Sequence, residues 1–94
     1  MGSNSATQQL LVTHLPGIHA RPSLSIVQTV RRFRSKVTIG YAGREADAGE
    51  ILGVMSLGVP QGSQVTLSAH GPDAEEVVAA LAKLFADDFG MSGD

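Results

Sequence analysis

Four stretches of the chain have the alternation or the composition of β-strands. Residues 36–41 (KVTIGY) and 63–70 (SQVTLSAH) alternate apolar and polar side chains with a period of two, so each is predicted to have one apolar face. Ala42-Gly43 is a turn signal, and the residues on either side of it predict a hairpin. The predicted strands are Thr7 to His14, 36–41, 44–48 and 63–70.

Two further stretches repeat their apolar residues with the period of a helix. From Ala20 to Phe33 the apolar side chains form a single stripe, with Leu24 partly off it, either at the edge of the core or exposed for a partner. From residue 74 to Gly90 the spacing is again helical. Asp73 and Glu76 predict a capping box at the start of this helix, and Gly90 predicts its end.

A third, weaker helix is predicted between Glu50 and Gly58. Two glycines, Gly49 and Gly53, lower its intrinsic propensity, so packing must hold it in place. Glu50 is predicted in its first turn, where a carboxylate complements the helix dipole. The predicted inner face is Ile51, Val54 and Met55, with Leu57 as a further candidate.

The element order, βαββαβα, predicts an α+β fold. Polar outward positions on the strands favour a four-stranded antiparallel sheet that is covered on one face by three helices. The length of 94 residues suits one domain, which we place at residues 7–90. Residues 1–6 are expected to be a flexible N-terminus or a tag remnant, and 91–94 a flexible tail.

Composition excludes several classes of protein. The chain has no cysteine, which excludes disulfides and thiolate metal sites and is compatible with a cytoplasmic location. The net charge of −2 argues against nucleic acid as the main partner, and no apolar run is long enough to cross a membrane. No metal site and no cofactor site is predicted.

Gly17-Ile18-His19-Ala20-Arg21-Pro22 is the candidate site. It places a histidine at the predicted start of the first helix, where free N–H groups and the positive end of the helix dipole favour an anion. Arg21 adds a guanidinium suited to phosphate oxygens. Neutral imidazole is a nucleophile, so the simplest functional interpretation is a phosphoryl group carried on His19, although a lone histidine also suits a structural role.

This hexapeptide resembles the phosphorylation-site motif of HPr, the histidine phosphocarrier of the bacterial sugar phosphotransferase system. The resemblance extends through residues 51–81, ILGVMSLGVPQGSQVTLSAHGPDAEEVVAAL, and covers roughly residues 8–89. It implies the open-faced β-sandwich of that family.

The resemblance also implies roles for individual residues. His19 would accept the phosphoryl group through Nδ1 from enzyme I and donate it to a histidine of an enzyme IIA domain, without being an independent catalyst. Arg21 would steady the phosphoryl group, and Gly17, Ala20 and Pro22 would form the helix start around it. The implied surface for binding partners, the docking surface, consists of Ala20, Leu24, Gln28, Arg31, Ile51, Leu52 and Met55.

Glu50 departs from the family pattern, because many relatives have a phosphorylatable serine there. A glutamate cannot be phosphorylated in that way. It either stabilises the helix start or mimics a modified serine and weakens transfer from enzyme I. An unchanged transfer rate in Glu50→Ser would exclude mimicry. Pro16 and Ser23 also differ from common family choices.

Two other functions stay open on the sequence. One is a regulatory HPr paralogue, or a domain derived from a fusion protein, that serves nitrogen-type or dihydroxyacetone-kinase-linked phosphotransfer. The ending Phe85 to Gly90 faintly resembles the ending of such domains. The other is an interaction module that is not phosphorylated.

We expect a monomer, with His14 and His70 on the surface. The basic run Arg31, Arg32, Arg34 and Lys36 is interpreted as a solvated helix end.

Overall fold

The structure is a computed structural model that describes residues 4–13 and 17–90. Its elements follow the predicted order βαββαβα. The strands are β1 (Ser5–Leu11), β2 (Lys36–Tyr41), β3 (Arg44–Asp47) and β4 (Gln64–His70). The helices are α1 (Ala20–Val30), α2 (Ile51–Ser56) and α3 (Ala74–Ala86), and a short 3-10 turn, Asp88–Gly90, follows α3.

The four strands form one antiparallel sheet in the order β1-β4-β2-β3. Register places Val37 opposite Ala69 and Ile39 opposite Leu67, and these side chains are buried. The opposite face carries polar residues such as Thr38, which pairs with Ser68. The prediction of an α+β fold with an open antiparallel sheet and three helices is confirmed.

The core lies between the sheet and the helices. Alternate residues of β2 and β4 point into it because successive strand side chains lie on opposite faces. Helices α1 and α3 contribute one apolar stripe each, as their periodicity predicts. The largest fully buried side chains are Ile26, Ile39, Leu67, Leu81, Val12, Val37, Val54, Val65 and Val77.

Several predicted boundaries are wrong by a few residues. β1 begins at Ser5 and ends at Leu11, so residues 5 and 6, expected in a flexible N-terminus, pair with His70 and Ala69 of β4. β3 ends at Asp47 rather than at residue 48. These strands end where cross-strand pairing ends, which depends on the neighbouring strand and not on local composition.

The first helix ends at Val30, three residues before the predicted Phe33. The amide N–H groups of Arg32 and Phe33 donate to carbonyls three residues back, which tightens the last turn. The next two amides, of Arg34 and Ser35, donate to the Asp73 carboxylate at 2.9 Å each. The Asp73 carboxylate, from a segment distant in the chain, therefore fixes the backbone that follows α1.

The predicted capping box at Asp73 is wrong for the same reason. Asp73 does occupy the N-cap position of α3, but its side chain makes no capping hydrogen bond. The carboxylate instead accepts from the Ser35 hydroxyl and from the two amides after α1, and Ser35 Oγ accepts from the Asp73 amide at 3.1 Å. This network joins the start of α3 to the start of β2.

The third helix ends at Ala86 and not at Gly90. Asp88 and Phe89 both adopt left-handed backbone conformations, with φ of 51° and 58°. Phe89 is buried and its ring lies 4.8 Å from that of Phe85, centroid to centroid. Burial of this ring offsets the backbone strain, which the helical spacing of the sequence does not reveal.

The Asp73 network predicts a pH dependence of stability. The Ser35 hydroxyl, followed by the Arg34 amide, holds the pKa of Asp73 below its ordinary value of 3.8. A depressed pKa stabilises the fold above the ordinary value, and this contribution is lost as pH falls through the folded-state pKa. Urea unfolding between about pH 5 and pH 2 should therefore show a smaller loss of stability on acidification in Asp73→Asn than in the parent chain. The loss of stability on acidification in Ser35→Ala should lie between those of Asp73→Asn and the parent chain. If Asp73→Asn and the parent lose the same stability on acidification, the Asp73 network is not the cause of the pH dependence.

Candidate functional site

The segment before His19 is held against the loop that follows α2. Gly17 forms an isolated antiparallel bridge with Pro60, and the Ile18 amide donates to the Val59 carbonyl oxygen at 2.9 Å. Gly17 has φ of +134°, which side chains rarely adopt. A Cβ at this position would overlap the Val59 carbonyl oxygen and lie 2.9 Å from Cα of Pro60. The site therefore requires glycine here for both reasons.

His19 is the N-cap residue of α1 and is exposed. Its backbone is extended (φ −101°, ψ −162°), and its carbonyl oxygen accepts from the Ser23 amide at 2.8 Å, the first bond of the helix. Its imidazole makes no capping hydrogen bond. The amides of Ala20 and Arg21 precede that first helical bond, so they have no helical acceptor and point toward the N-terminal end of α1, where His19 lies. A negative group bonded to the ring would lie where the helix dipole favours it.

Arg21 and Pro22 both lie in the first turn of α1 but differ in burial. Arg21 is exposed, which leaves its guanidinium accessible to an anion, whereas Pro22 is buried. Proline suits this turn because the first amides of a helix have no helical acceptor. Pro22 lies in the first turn of the helix, where the sequence predicts it.

Ser23 lies one turn along α1 from His19 and is completely buried. Its hydroxyl oxygen has no hydrogen-bond partner among the described residues. A buried hydroxyl without a partner typically costs about 1–3 kcal/mol. The departure from the family pattern at this position therefore places an uncompensated polar group under the site.

The imidazole borders an open depression of about 370 Å³ between the start of α1 and the end of α2. None of the described residues that line it carries a carboxylate, so no acidic side chain among them would repel a phosphoryl group or activate a water molecule against it. The residues from α2 and its following loop are distant in sequence and no local signal predicts them. The lining residues are Ile18, His19, Ala20, Met55, Gly58, Val59 and Pro60.

The residues of the docking surface come from α1, from the residue that follows it and from α2, and these two helices pack together. Three apolar side chains on them are exposed: Leu24 at 44%, Leu52 at 77% and Met55 at 39%. Ala20, Gln28 and Arg31 are also exposed, whereas Ile51 is half-buried. Leu24 therefore lies outside the core. Large apolar side chains that are exposed together are typical of a surface that binds another protein.

The inner face of α2 differs from the prediction. Val54 and Leu57 are buried, but Met55 is exposed and Ile51 is only partly covered. A helix of only six residues makes fewer than two turns, so it buries a narrower apolar stripe than its sequence pattern predicts. Glu50 is the N-cap residue, one position before the first turn in which it was predicted, and it makes no side-chain capping bond.

One arginine contacts the segment before α2 and another contacts the C-terminal end of α2. Arg31 donates from Nε (3.2 Å) and Nη2 (3.0 Å) to the Gly49 carbonyl oxygen, so its guanidinium has an intramolecular partner within the predicted docking surface. Arg44 donates from Nη2 to the Leu57 carbonyl oxygen at 2.7 Å and from Nη1 to that of Ser56 at 3.3 Å. The sequence pattern missed Arg44, because nothing near it in the chain indicates a helix end.

His70 is the other histidine in the described part of the chain, and it lies away from this arrangement. His70 ends β4, is exposed, and has its Nδ1 2.9 Å from the Ser5 hydroxyl oxygen. His14 lies outside the described residues. Within residues 4–13 and 17–90 no three histidine, aspartate or glutamate side chains could together hold a metal ion. No helix in that part of the chain is long and apolar enough to span a membrane.

The chain is similar to known proteins in sequence and in structure. Residues 6–87 match the family model described as "PTS HPr component phosphorylation site". Phosphocarrier protein HPr of Xylella fastidiosa (strain 9a5c) is 38% identical over 81 residues, which cover 86% of this chain and 91% of that protein.

Two solved structures from Thermoanaerobacter tengcongensis are similar to the chain. One, described as HPr-C-His, is 38% identical with a TM-score of 0.88, and the match covers 93% of this chain and 98% of the other. The other, described as an HPr dimer, is 44% identical with a TM-score of 0.73, over 79% and 85% of the two chains.

The close approach at Gly17 predicts the cost of a side chain there. Gly17→Ala should lower the free energy of unfolding by about 1–3 kcal/mol, because the added Cβ forces the segment Gly17–Ile18 away from Val59. Gly62 also has a positive φ, of +89°, but open space around its Cβ position, so Gly62→Ala is the matched control with strain and no clash. Urea denaturation of both variants measures the difference. An equal loss in the two variants would show that the contact with Val59 contributes nothing.

Proposed function

Because the chain belongs to the HPr family of phosphocarrier proteins of the phosphotransferase system, we propose that His19 accepts a phosphoryl group from phosphorylated enzyme I and passes it to a histidine of an enzyme IIA domain. The observation that supports this most strongly is the position of His19. It is exposed at the start of α1, and its imidazole is not used to cap the helix. The ring is therefore accessible to a second protein.

The proposed transfer is a displacement at phosphorus. The lone pair on Nδ1 of His19 attacks the phosphoryl group of enzyme I phosphohistidine; the new N–P bond forms as the old one breaks, and its electron pair returns to the nitrogen of enzyme I. The second transfer repeats these steps toward enzyme IIA. Two nitrogens exchange one phosphoryl group, so the chain needs no cofactor, and we propose that it is a carrier rather than an independent catalyst.

The groups around His19 suit a phosphoryl group while it waits for its next acceptor. The amides of Ala20 and Arg21 and the positive end of the α1 dipole favour the negative charge. The Arg21 guanidinium offers two N–H groups in a geometry that matches phosphate oxygens. The described residues that line the depression carry no carboxylate, which supports a carrier role because none of them would activate water for hydrolysis.

We propose that enzyme I and enzyme IIA bind the docking surface in turn. Leu24, Leu52 and Met55 would supply apolar contact, and the exposed arginines would favour an acidic partner surface. We propose a cytoplasmic monomer, and the dimeric relative from Thermoanaerobacter tengcongensis makes the oligomeric state worth measuring. Glu50 has no hydroxyl group, so we assign no regulatory phosphorylation to it.

Phosphorylation by enzyme I and phosphoenolpyruvate tests the proposal directly. We expect the chain to gain one acid-labile phosphoryl group, with 31P NMR assigning it to Nδ1, and His19→Ala to gain none. His70→Ala is the matched control, because His70 is also exposed but lies at the end of β4, and it should be phosphorylated normally.

Two results would contradict the proposal. One is phosphoryl incorporation that persists in His19→Ala. The other is no incorporation with enzyme I proteins from several bacteria, which would favour an interaction module that is not phosphorylated. Transfer onward to nitrogen-type acceptors but not to sugar-specific enzyme IIA domains would instead identify a regulatory paralogue.

The docking surface predicts a difference between two exposed leucines. Leu52 (77% exposed) lies on α2, whereas Leu11 (51% exposed) ends β1 outside the docking surface. Leu52→Ala should raise the KM for enzyme I about tenfold, since a lost apolar contact costs about 1–2 kcal/mol, and Leu11→Ala should leave it unchanged. Steady-state phosphorylation of both variants measures this. An equal change in KM for the two variants would show that enzyme I does not bind the predicted docking surface through Leu52.

A further inference from the structure

Helix α2 is too short to be stable without outside support. It has six residues, Ile51–Ser56, one of which is Gly53, and its N-cap Glu50 makes no side-chain capping bond. Isolated helices are marginal below about 12–15 residues, and glycine lowers helix propensity further. Among its own residues only Val54 is fully buried. Contacts from other elements must therefore keep α2 in place.

Arg44 of β3 supports the C-terminal end of α2. Its guanidinium donates to the carbonyl oxygens of Ser56 and Leu57, at 3.3 Å and 2.7 Å. The last carbonyls of a helix have no helical donors and carry the negative end of the dipole, so a cation there is favourable. The planar fork of arginine reaches two carbonyls at once, which the single ammonium of lysine does less well.

Arg31 supports the approach to the other end of α2. It immediately follows α1, and its Nε and Nη2 both donate to the Gly49 carbonyl oxygen. The Gly49 amide donates to Oδ1 of Asp47 at 2.8 Å, so the segment before α2 is bound on two sides. This contact connects α2 to the end of the same helix that begins at His19.

The position of α2 affects the site directly. Met55 lines the depression beside His19, and Leu52 is the most exposed of the large apolar side chains in the described part of the chain. If α2 shifts or unfolds, the docking surface loses these two side chains and the depression loses one wall. A partner then binds only the fraction of molecules in which α2 is formed.

We propose that Arg31 and Arg44 are positioning residues that act through α2: together they hold it in the conformation that enzyme I binds. This inference rests on the proposed function for its consequence in transfer. Neither arginine needs to touch the partner or the phosphoryl group. For Arg31, this assigns an intramolecular role to a residue of the predicted docking surface.

Gly53 provides a way to separate this role from direct contact with a partner. A Cβ at Gly53 would lie 3.5 Å from Cβ of Ala46 and 3.8 Å from Cβ of Glu50, which are ordinary contact distances. Gly53→Ala should therefore fit, and it raises the helix propensity of α2. It can compensate for a missing arginine only if that arginine acts by holding the helix.

The first measurement is amide hydrogen exchange by NMR, which needs no partner. Arg44→Ala and Arg31→Ala should each speed exchange in α2 about tenfold, while exchange in α3 stays unchanged. Arg44→Lys should give a smaller effect, and it serves as the second variant if Arg44→Ala folds poorly. Adding Gly53→Ala should slow the exchange again.

The second measurement is steady-state phosphorylation by enzyme I, well below the melting temperature of each variant. The KM for enzyme I should rise about two- to fivefold with the rate at saturation unchanged, and Gly53→Ala should restore the KM. A raised KM without faster exchange in α2, or a raised KM that Gly53→Ala does not restore, would overturn the proposal in favour of direct partner contact.

Unchanged exchange and unchanged KM would also overturn it. If the parent chain takes up no phosphoryl group at all, the proposed function fails, and with it the consequence for transfer. The exchange measurement still decides whether the arginines hold α2.

Discussion

The functional site depends on one backbone contact, between the segment Gly17–Ile18 and the loop Val59–Pro60. The bridge at Gly17 and the Ile18 hydrogen bond fix the chain two residues before His19, so the direction in which α1 begins is decided outside α1. They also bring the loop after α2 to the imidazole. A single close approach, possible only for glycine, thereby positions the nucleophile and one wall of its surroundings.

The second constraint is the weakness of α2. The sheet and the two longer helices bury a continuous apolar core, whereas α2 contributes a narrow face and leaves Leu52 and Met55 exposed. A surface that must bind successive partners needs exposed apolar side chains, and a helix that carries them buries too little to stabilise itself. Arginine hydrogen bonds to Gly49, Ser56 and Leu57 supply what the core does not.

The predictions succeeded where the physical cause is local and failed where it is not. The alternation in β2 and β4 identified the buried residues correctly because strand geometry requires it. The capping box at Asp73 failed because Ser35 and the amides after α1 compete for the same carboxylate. The end of α3 was misplaced because a buried Phe89 ring stabilises backbone angles that local pattern disfavours.

The sequence by itself determined the order of the elements, the antiparallel sheet with one apolar face, and the candidate His19 with Arg21 at a helix start. These features follow from the periodicity of apolar residues and from the chemistry of residues that are neighbours in the chain, and both can be read directly from the sequence. Only the tertiary structure decided that Met55, Gly58 and Pro60 line one depression with His19. It also decided that Arg31 reaches the segment before α2 and that Arg44 reaches the C-terminal end of α2. Those contacts join residues far apart in the chain, and their geometry exists only once the sheet and helices have packed.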